Sequence, residues 1–264
     1  MTFFQALIIA IIEGLTEFLP VSSTGHMILA SSMMEIHEDD FVKTFEIAIQ
    51  LGAIMAIVML YAKQFLQSIT IYFKLTTAFI PTAIIGFLAY EIIKGYLFNP
   101  LVVAVSLIIG GIVLILIDRR VVEQKSKTTN LDEITYKRAF YIGLIQSFSM
   151  IPGTSRAAAT IIGGVFNGLD KKQATEFSFL LAVPTMFAAT GYDLLKTDIQ
   201  FSNNELLLLS VGMIIAFFTA WLAVKIFLKI VSKSGFKHFG YYRIIVGLLF
   251  LLYMASQGSL MTNF

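Results

Sequence analysis

Two carboxylates near the N-terminus have the spacing of a candidate cation site. Glu13 and Glu17 are four residues apart, so both side chains lie on one face of a helix. Adjacent carboxylates repel each other unless a proton or a cation lies between them, and hard oxygen ligands suit Mg²⁺ or Ca²⁺. We therefore predict that Glu13 and Glu17 bind one of these divalent cations. The alternative is a pair that only packs against a neighbouring helix.

A hydroxyl-rich turn follows the carboxylates and adds groups suited to a phosphate. Ser22, Ser23 and Thr24 come shortly after a proline, where a new short helix is predicted to begin. One of these hydroxyls is expected to cap that helix, and the free backbone N–H groups there attract anions. His26 lies within one turn of Ser23, and a neutral imidazole can take a proton from a hydroxyl or a water molecule. We predict catalytic roles for Ser23, His26 and Glu17, and phosphate contacts from Ser22 and Thr24.

A second polar break supplies the complementary positive charge. Gly153, Thr154, Ser155 and Arg156 interrupt an apolar stretch. An arginine in such a stretch needs an anionic partner. That partner is either one of the two N-terminal carboxylates or a phosphate, which a guanidinium binds through two parallel hydrogen bonds. We predict that Arg156 is catalytic and that it binds phosphate together with Gly153, Thr154 and Ser155.

The composition is that of a membrane protein. Of the 264 residues, 57% are hydrophobic and only 14% are charged, whereas soluble domains carry about 25% charged residues. The mean hydropathy is +0.82. The net charge of +2 and the lack of any basic block argue against a nucleic-acid partner, and the absence of cysteine excludes disulfides and thiolate metal sites. We expect a single membrane domain over residues 1–264.

Six apolar segments approach the roughly 20 residues that a membrane-spanning helix needs. They are residues 41–61, 69–93, 101–117, 175–195, 206–230 and 241–255. Segments 3–34 and 139–165 instead each predict two short helices separated by a break, and each of these helices is too short to cross the membrane. That pattern is typical of a re-entrant hairpin, in which protein buries the irregular backbone. The predicted fold is therefore all-α and polytopic, with six transmembrane helices and two re-entrant helical hairpins.

The chain also repeats itself, and the loop charges indicate how the repeats are oriented. The stretch that begins at Pro20 resembles the stretch that begins 132 residues later at Pro152. This similarity indicates one repeat over about 1–120 and another over 137–264. The richest basic cluster lies in the loop 118–138 and consists of Arg119, Arg120, Lys125, Lys127, Lys137 and Arg138. The positive-inside rule places this loop in the cytoplasm, together with the basic stretch from Lys225 to Arg243. Each half then crosses an odd number of times, so the repeats are inverted and their polar tips should meet near the midplane.

These residues resemble a known family signature. The stretch EGLTEFLPVSSTGH, from Glu13 to His26, is similar to the long N-terminal motif of the undecaprenyl pyrophosphate phosphatases, also known as the bacitracin-resistance family. PGTSR, which ends at Arg156, resembles that family's second motif, and the stretch around Phe45 and Glu46 resembles a further one. This chain departs from the family in having two alanines after Arg156, where the family commonly has Ser-Gly.

The resemblance implies hydrolysis of undecaprenyl diphosphate to the monophosphate carrier lipid of cell-wall synthesis. It implies a divalent metal, an inner-membrane location, an active site open to the periplasmic face, and competition with bacitracin for the lipid; it leaves a homodimer open. Glu13, Glu17, Ser23, His26 and Arg156 match the family's functional positions. We favour Ser23 as the nucleophile and His26 as its base, although water attack stays open.

Two other functional interpretations compete with that of a phosphatase. Inverted repeats with broken helices are also typical of a secondary transporter or lipid flippase with a midplane anion site. A histidine-based lipid phosphatase would need two histidines after Arg156 with a spacing that this chain lacks.

Overall fold

The computed structural model describes residues 1–92, 100–121, 130–196 and 201–256, and within these residues the chain forms eleven α-helices. Their bounds are α1 Phe3–Thr16, α2 Ser23–Met33, α3 Asp40–Leu60, α4 Ala62–Gln67, α5 Ile69–Ile92, α6 Pro100–Val121, α7 Tyr136–Gln146, α8 Arg156–Phe166, α9 Lys171–Lys196, α10 Asn203–Ser234 and α11 Lys237–Ser256. Of the predicted cytoplasmic loop, residues 122–129, with Lys125 and Lys127, lie outside the described part of the chain.

Six of the helices in the described ranges are long and apolar enough to cross a membrane, namely α3, α5, α6, α9, α10 and α11. They coincide with the six predicted spans, which confirms an all-α, multi-pass membrane protein. Many large apolar side chains on these helices are exposed, such as Phe87 and Leu88 on α5 and Phe218 on α10. Such a surface suits lipid and not water.

The remaining helices include two short broken pairs, α1 with α2 and α7 with α8, at the positions that the sequence predicts. The two breaks share an unusual local geometry. Ser22 and Ser155 are the N-caps of α2 and α8, both have φ of 72°, and each hydroxyl accepts a hydrogen bond from the backbone N–H three residues later. This likeness is what an internal repeat would produce. The re-entrant position of the pairs and the inverted orientation of the repeats stay predictions.

Glycines let the first helix of each pair pack closely against a long helix. A Cβ added at Gly14 of α1 would lie 2.6 Å from the Ala216 carbonyl oxygen of α10, and one at Gly143 of α7 would lie 1.8 Å from the Ala78 carbonyl oxygen of α5. Helix α1 thus packs on a helix from the second half of the chain, and α7 on a helix from the first half. Because each of these short helices packs on the opposite half of the chain, the two breaks lie together in the interior.

Candidate active site at the two breaks

An ion pair joins the two breaks. Arg156 Nη2 lies 3.0 Å from Glu17 Oε1, and both side chains are about nine-tenths buried, with exposed fractions of 10% and 7%. Arg156 Nη1 donates to the Ser178 carbonyl oxygen of α9 at 3.0 Å. Among the described residues, no group accepts a hydrogen bond from Arg156 Nε. Of the two partners that the sequence left open for Arg156, Glu17 is the one observed, and one guanidinium donor stays available to an anion.

Ser23 is hydrogen-bonded to the same carboxylate. Its hydroxyl donates to Glu17 Oε2 at 2.5 Å, and the serine side chain is buried. A short hydrogen bond to an ionised acceptor is strong and fixes the orientation of the hydroxyl. Glu17 therefore contacts the candidate nucleophile through one oxygen and the candidate phosphate clamp through the other. In this geometry the Ser23 hydroxyl donates to Glu17 and not to His26.

The hydroxyls predicted to bind phosphate lie at the starts of α2 and α8. Ser22 and Ser155 accept backbone hydrogen bonds as N-caps, and this leaves their own O–H groups as donors. Ser22 is the residue that caps α2, as expected for one of the three hydroxyls in that turn. Thr24 and Thr154 are half-buried in the same two breaks. Two helix N-termini with hydroxyl caps thus lie beside the Glu17–Arg156 pair.

Glu13 is a buried carboxylate that lacks the partners such a group needs. Its side chain is fully buried, and within the described residues no hydrogen-bond donor reaches either carboxylate oxygen, while the Glu17 carboxyl lies beside it. A carboxylate in that condition is costly unless a proton or a cation compensates it. The described residues contain no group of three or more His, Asp or Glu side chains placed to hold a metal. Glu13 and Glu17 therefore fit a cation that also takes ligands from water or phosphate, as Mg²⁺ commonly does.

His26 has both ring nitrogens engaged. Nδ1 lies 2.8 Å from the Ser22 carbonyl oxygen, and Nε2 lies 2.7 Å from the Tyr242 hydroxyl of α11. The His26 and Tyr242 rings are parallel, with centroids 5.5 Å apart. The imidazole therefore lies at the start of α2, as predicted, but it is held by its own helix and by α11.

Arg243 corrects the sequence interpretation. The sequence places Arg243 in a basic stretch at the end of a span and indicates no basic side chain at the breaks besides Arg156, but the structure brings Arg243 to both breaks as well. Arg243 is fully buried. Its guanidinium donates five hydrogen bonds to backbone carbonyls, and their acceptors are Pro20 at 3.0 Å, Gly153 at 2.8 Å, Thr154 at 2.9 Å, Ser106 at 3.1 Å and Leu107 at 3.2 Å. One side chain on α11 thus fastens both breaks to each other and to α6.

Close contacts around Arg243 require glycine at specific positions. A Cβ at Gly110 would lie 2.2 Å from Arg243 Nη2, and one at Gly111 would lie 2.6 Å from the Gly240 carbonyl oxygen. Gly153 has φ of 88°, and a Cβ there would lie 2.5 Å from the Val103 carbonyl oxygen. Small residues of this kind let membrane helices approach closely. The α6–α11 contact is therefore close enough for Arg243 to reach both breaks.

Sequence reasoning also missed the second layer around Arg156. Thr160 and Ser178 hydroxyls are 2.5 Å apart, and Thr160 donates to the Arg156 carbonyl oxygen at 2.9 Å. Ser178 lies in an apolar stretch of α9 with no motif around it. The Ser178 backbone carbonyl oxygen, and not its hydroxyl, accepts from the Arg156 guanidinium, and only the position of Ser178 opposite α8 reveals this contact.

Comparison with known proteins identifies the family of this chain. A family model described as "Bacitracin resistance protein BacA" matches residues 6–249. The chain is 51% identical over 254 residues to a protein named undecaprenyl-diphosphatase from Wolinella succinogenes, and the match covers 96% of this chain and 99% of the relative. Proteins of the same name from Persephonella marina and Bdellovibrio bacteriovorus are 51% and 50% identical; these matches cover 95% and 98% of this chain and 98% and 99% of the relatives. The chain therefore belongs to the BacA family of bacitracin resistance proteins.

Proposed function

We propose that this protein hydrolyses undecaprenyl diphosphate to undecaprenyl phosphate and inorganic phosphate. The observation that carries the proposal is the buried contact among Ser23, Glu17 and Arg156. It combines a nucleophile, a carboxylate that accepts its proton, and a cation with an unused donor. The named relatives are called undecaprenyl-diphosphatase. The product is the carrier lipid of cell-wall synthesis, and because bacitracin competes for the diphosphate, its hydrolysis confers resistance.

Ser23 starts the reaction in this proposal. Its Oγ attacks the terminal phosphorus, the proton passes to Glu17 Oε2, and the anhydride P–O bond to undecaprenyl phosphate breaks. Arg156 Nε and the hydroxyls of Ser22 and Ser155 stabilise the charge that develops on the phosphoryl oxygens. These donors are already held in place by the breaks, so little reorganisation accompanies the step.

Water completes the reaction. It attacks the phosphorylated Ser23, His26 takes a proton from the water, and the P–O bond to Ser23 breaks to release inorganic phosphate. Ser23 regains its proton from Glu17, and His26 returns its proton to solvent. Thr24, Gly153 and Thr154 line the same breaks and contact the phosphate.

A divalent cation, Mg²⁺ or Ca²⁺, forms part of the proposed site. Glu13 and Glu17 would hold it, since Glu13 has two buried oxygens without partners in the described part of the chain. When bound, the cation supplies positive charge that offsets the charge of the diphosphate.

The direct test is phosphate release by purified protein in detergent. We expect release from undecaprenyl diphosphate, and a C15 diphosphate tests how much of the tail is required. Glu17→Ala and Arg156→Ala should each reduce the rate at least about a hundredfold, because each removes a charged group at the reacting phosphorus. Equal rates in wild type and both variants would show that this cluster is not the active site.

The same assay separates hydrolysis from transport. A transporter or lipid flippase is favoured by one observation, the paired broken helices that meet in the interior. A transporter would release no phosphate in detergent, where no gradient exists. A phosphatase would release it under those conditions.

We also propose a location and an assembly for the protein. The six candidate spans support a multi-pass protein, which we place in the bacterial inner membrane with its site open to the periplasmic face. A homodimer is a further expectation that light scattering of the detergent-solubilised protein would test.

A further inference from the structure

The Tyr242 hydroxyl lies outside every motif in the sequence, yet it contacts a candidate catalytic group. Its oxygen lies 2.7 Å from His26 Nε2, across a sequence separation of 216 residues. The parallel rings add a stacking contact at a centroid distance of 5.5 Å. Tyr242 is 44% exposed, so the contact lies at an accessible edge of the site.

The partners of His26 determine where its proton lies. A carbonyl oxygen can only accept a hydrogen bond, so Nδ1, at 2.8 Å from the Ser22 carbonyl oxygen, carries the hydrogen. In the neutral ring Nε2 is then the acceptor, and the Tyr242 hydroxyl is its donor. The Ser22 carbonyl oxygen thus selects the tautomer, and the Tyr242 contact fixes the ring orientation, with the Nε2 lone pair directed toward the Tyr242 hydroxyl.

The backbone around Tyr242 is held in place by the next residue. Arg243 donates to the carbonyl oxygens of Pro20 and Thr154, which belong to the two breaks. The start of α11 is thus fastened to the same backbone that carries the site. The backbone of Tyr242 is therefore held close to the start of α2.

We infer that Tyr242 orients the His26 ring and carries the proton of the attacking water to Nε2 at the exposed edge of the site. The role rests on the hydrolysis proposed above, in which His26 takes a proton from the attacking water. Because the Nε2 lone pair faces the Tyr242 hydroxyl, the proton reaches Nε2 through that group: the hydroxyl gives its proton to Nε2 and takes one from the water.

Tyr242→Phe tests the inference, because it removes the hydroxyl and keeps the ring. We expect kcat for undecaprenyl diphosphate to fall about tenfold with little change in KM, which is part of the effect of a general base. In a His26→Ala background the same substitution should have no further effect, since residues that act through each other are not additive. Tyr241→Phe, at the exposed neighbouring position, is the control and should keep the wild-type rate.

The ¹⁵N resonances of His26 give a readout that does not depend on turnover. Loss of the Tyr242 donor should shift the Nε2 signal in protein labelled at histidine, and His26→Ala assigns that signal. An unchanged Nε2 signal would overturn the inference, as would a wild-type kcat in Tyr242→Phe or an equal loss in both backgrounds. If wild-type protein releases no phosphate, the proposed hydrolysis fails, whereas the His26 signal still reports on the contact. If His26→Ala is too slow to assay, the Nε2 signal of His26 in Tyr242→Phe decides whether the inference holds.

Discussion

At the scale of single residues, the distinctive feature is that one carboxylate serves two partners. Glu17 accepts from Ser23 through one oxygen and pairs with Arg156 through the other. A diphosphate that enters the site must share or replace the Arg156 contact. The Arg156 guanidinium is therefore either a phosphate clamp or only the counter-ion of Glu17. The two roles predict different turnover and stability for variants at this position.

Arg156→Lys separates these roles. Lysine keeps the charge but loses the planar fork that binds two oxygens. We expect a folded protein with turnover reduced about a hundredfold or more, as is typical when a donor to a developing oxyanion is lost. Turnover and melting temperature should be measured together, with Arg156→Ala beside it. A near wild-type rate for the lysine variant, with reduced stability only in Arg156→Ala, would leave Arg156 a structural counter-ion.

The Glu13 carboxylate makes a prediction about metal. Because its buried oxygens have no partner in the described ranges, removal of divalent cations should abolish phosphate release, and Mg²⁺ or Ca²⁺ should restore it. Glu13→Gln should raise the metal concentration needed for half-maximal phosphate release and reduce bound metal by elemental analysis. Full activity in excess chelator, with no metal in the protein, would instead assign Glu13 and Glu17 to proton transfer.

At the scale of helices, the site depends on how closely the broken pairs pack against long helices. Gly143 of α7 lies against the Ala78 backbone of α5, and its carbonyl oxygen accepts from the Thr82 hydroxyl at 2.8 Å. Gln146, in the last turn of α7, donates to the same hydroxyl at 2.9 Å. This polar contact fixes the end of α7 that leads into the second break.

Gly143→Ala should therefore destabilise the protein. The added Cβ would lie 1.8 Å from the Ala78 carbonyl oxygen, and overpacking of this kind costs about 1–3 kcal/mol. We expect a melting temperature several degrees lower in detergent, with reduced phosphate release. Gly191→Ala in α9 is the matched control, because nothing lies within 4 Å of a Cβ there. Equal melting temperatures for the two variants would refute the close α5–α7 packing.

At the scale of the whole molecule, the open question is the orientation of the two halves. The exchanged packing of α1 on α10 and of α7 on α5 is compatible with a pseudo-twofold arrangement. Inverted repeats would place two exposed residues, Asp39 before α3 and Lys137 in the first turn of α7, on opposite sides of the membrane.

Cysteine labelling tests that orientation, and the natural chain contains no cysteine that would interfere. Asp39→Cys should react with an impermeant thiol reagent from the periplasmic side, and Lys137→Cys only after the membrane is permeabilised. Labelling of both variants from the same side would rule out the inverted arrangement. Phosphate release by each variant confirms that the substitution leaves the site intact.

The sequence alone determined the spans, the two breaks and most of the site, because these depend on local properties. A run of apolar residues specifies a span wherever it lies in the chain. The motif from Glu13 to His26 places its carboxylates, hydroxyls and imidazole within a few turns, so their proximity follows from spacing.

Only the tertiary structure decided which partners these groups find. By local pattern Tyr242 and Arg243 lie where a basic stretch meets the last predicted span, yet they contact the first break and α2 across more than 200 residues of sequence. The choice of Glu17 as the partner of Arg156 and Ser23 likewise depends on the relative placement of α1, α2 and α8. A buried polar group must be satisfied by whatever lies opposite it. In this fold, glycine contacts such as that of Gly110 beside Arg243 set which groups lie opposite, and no local pattern encodes that pairing.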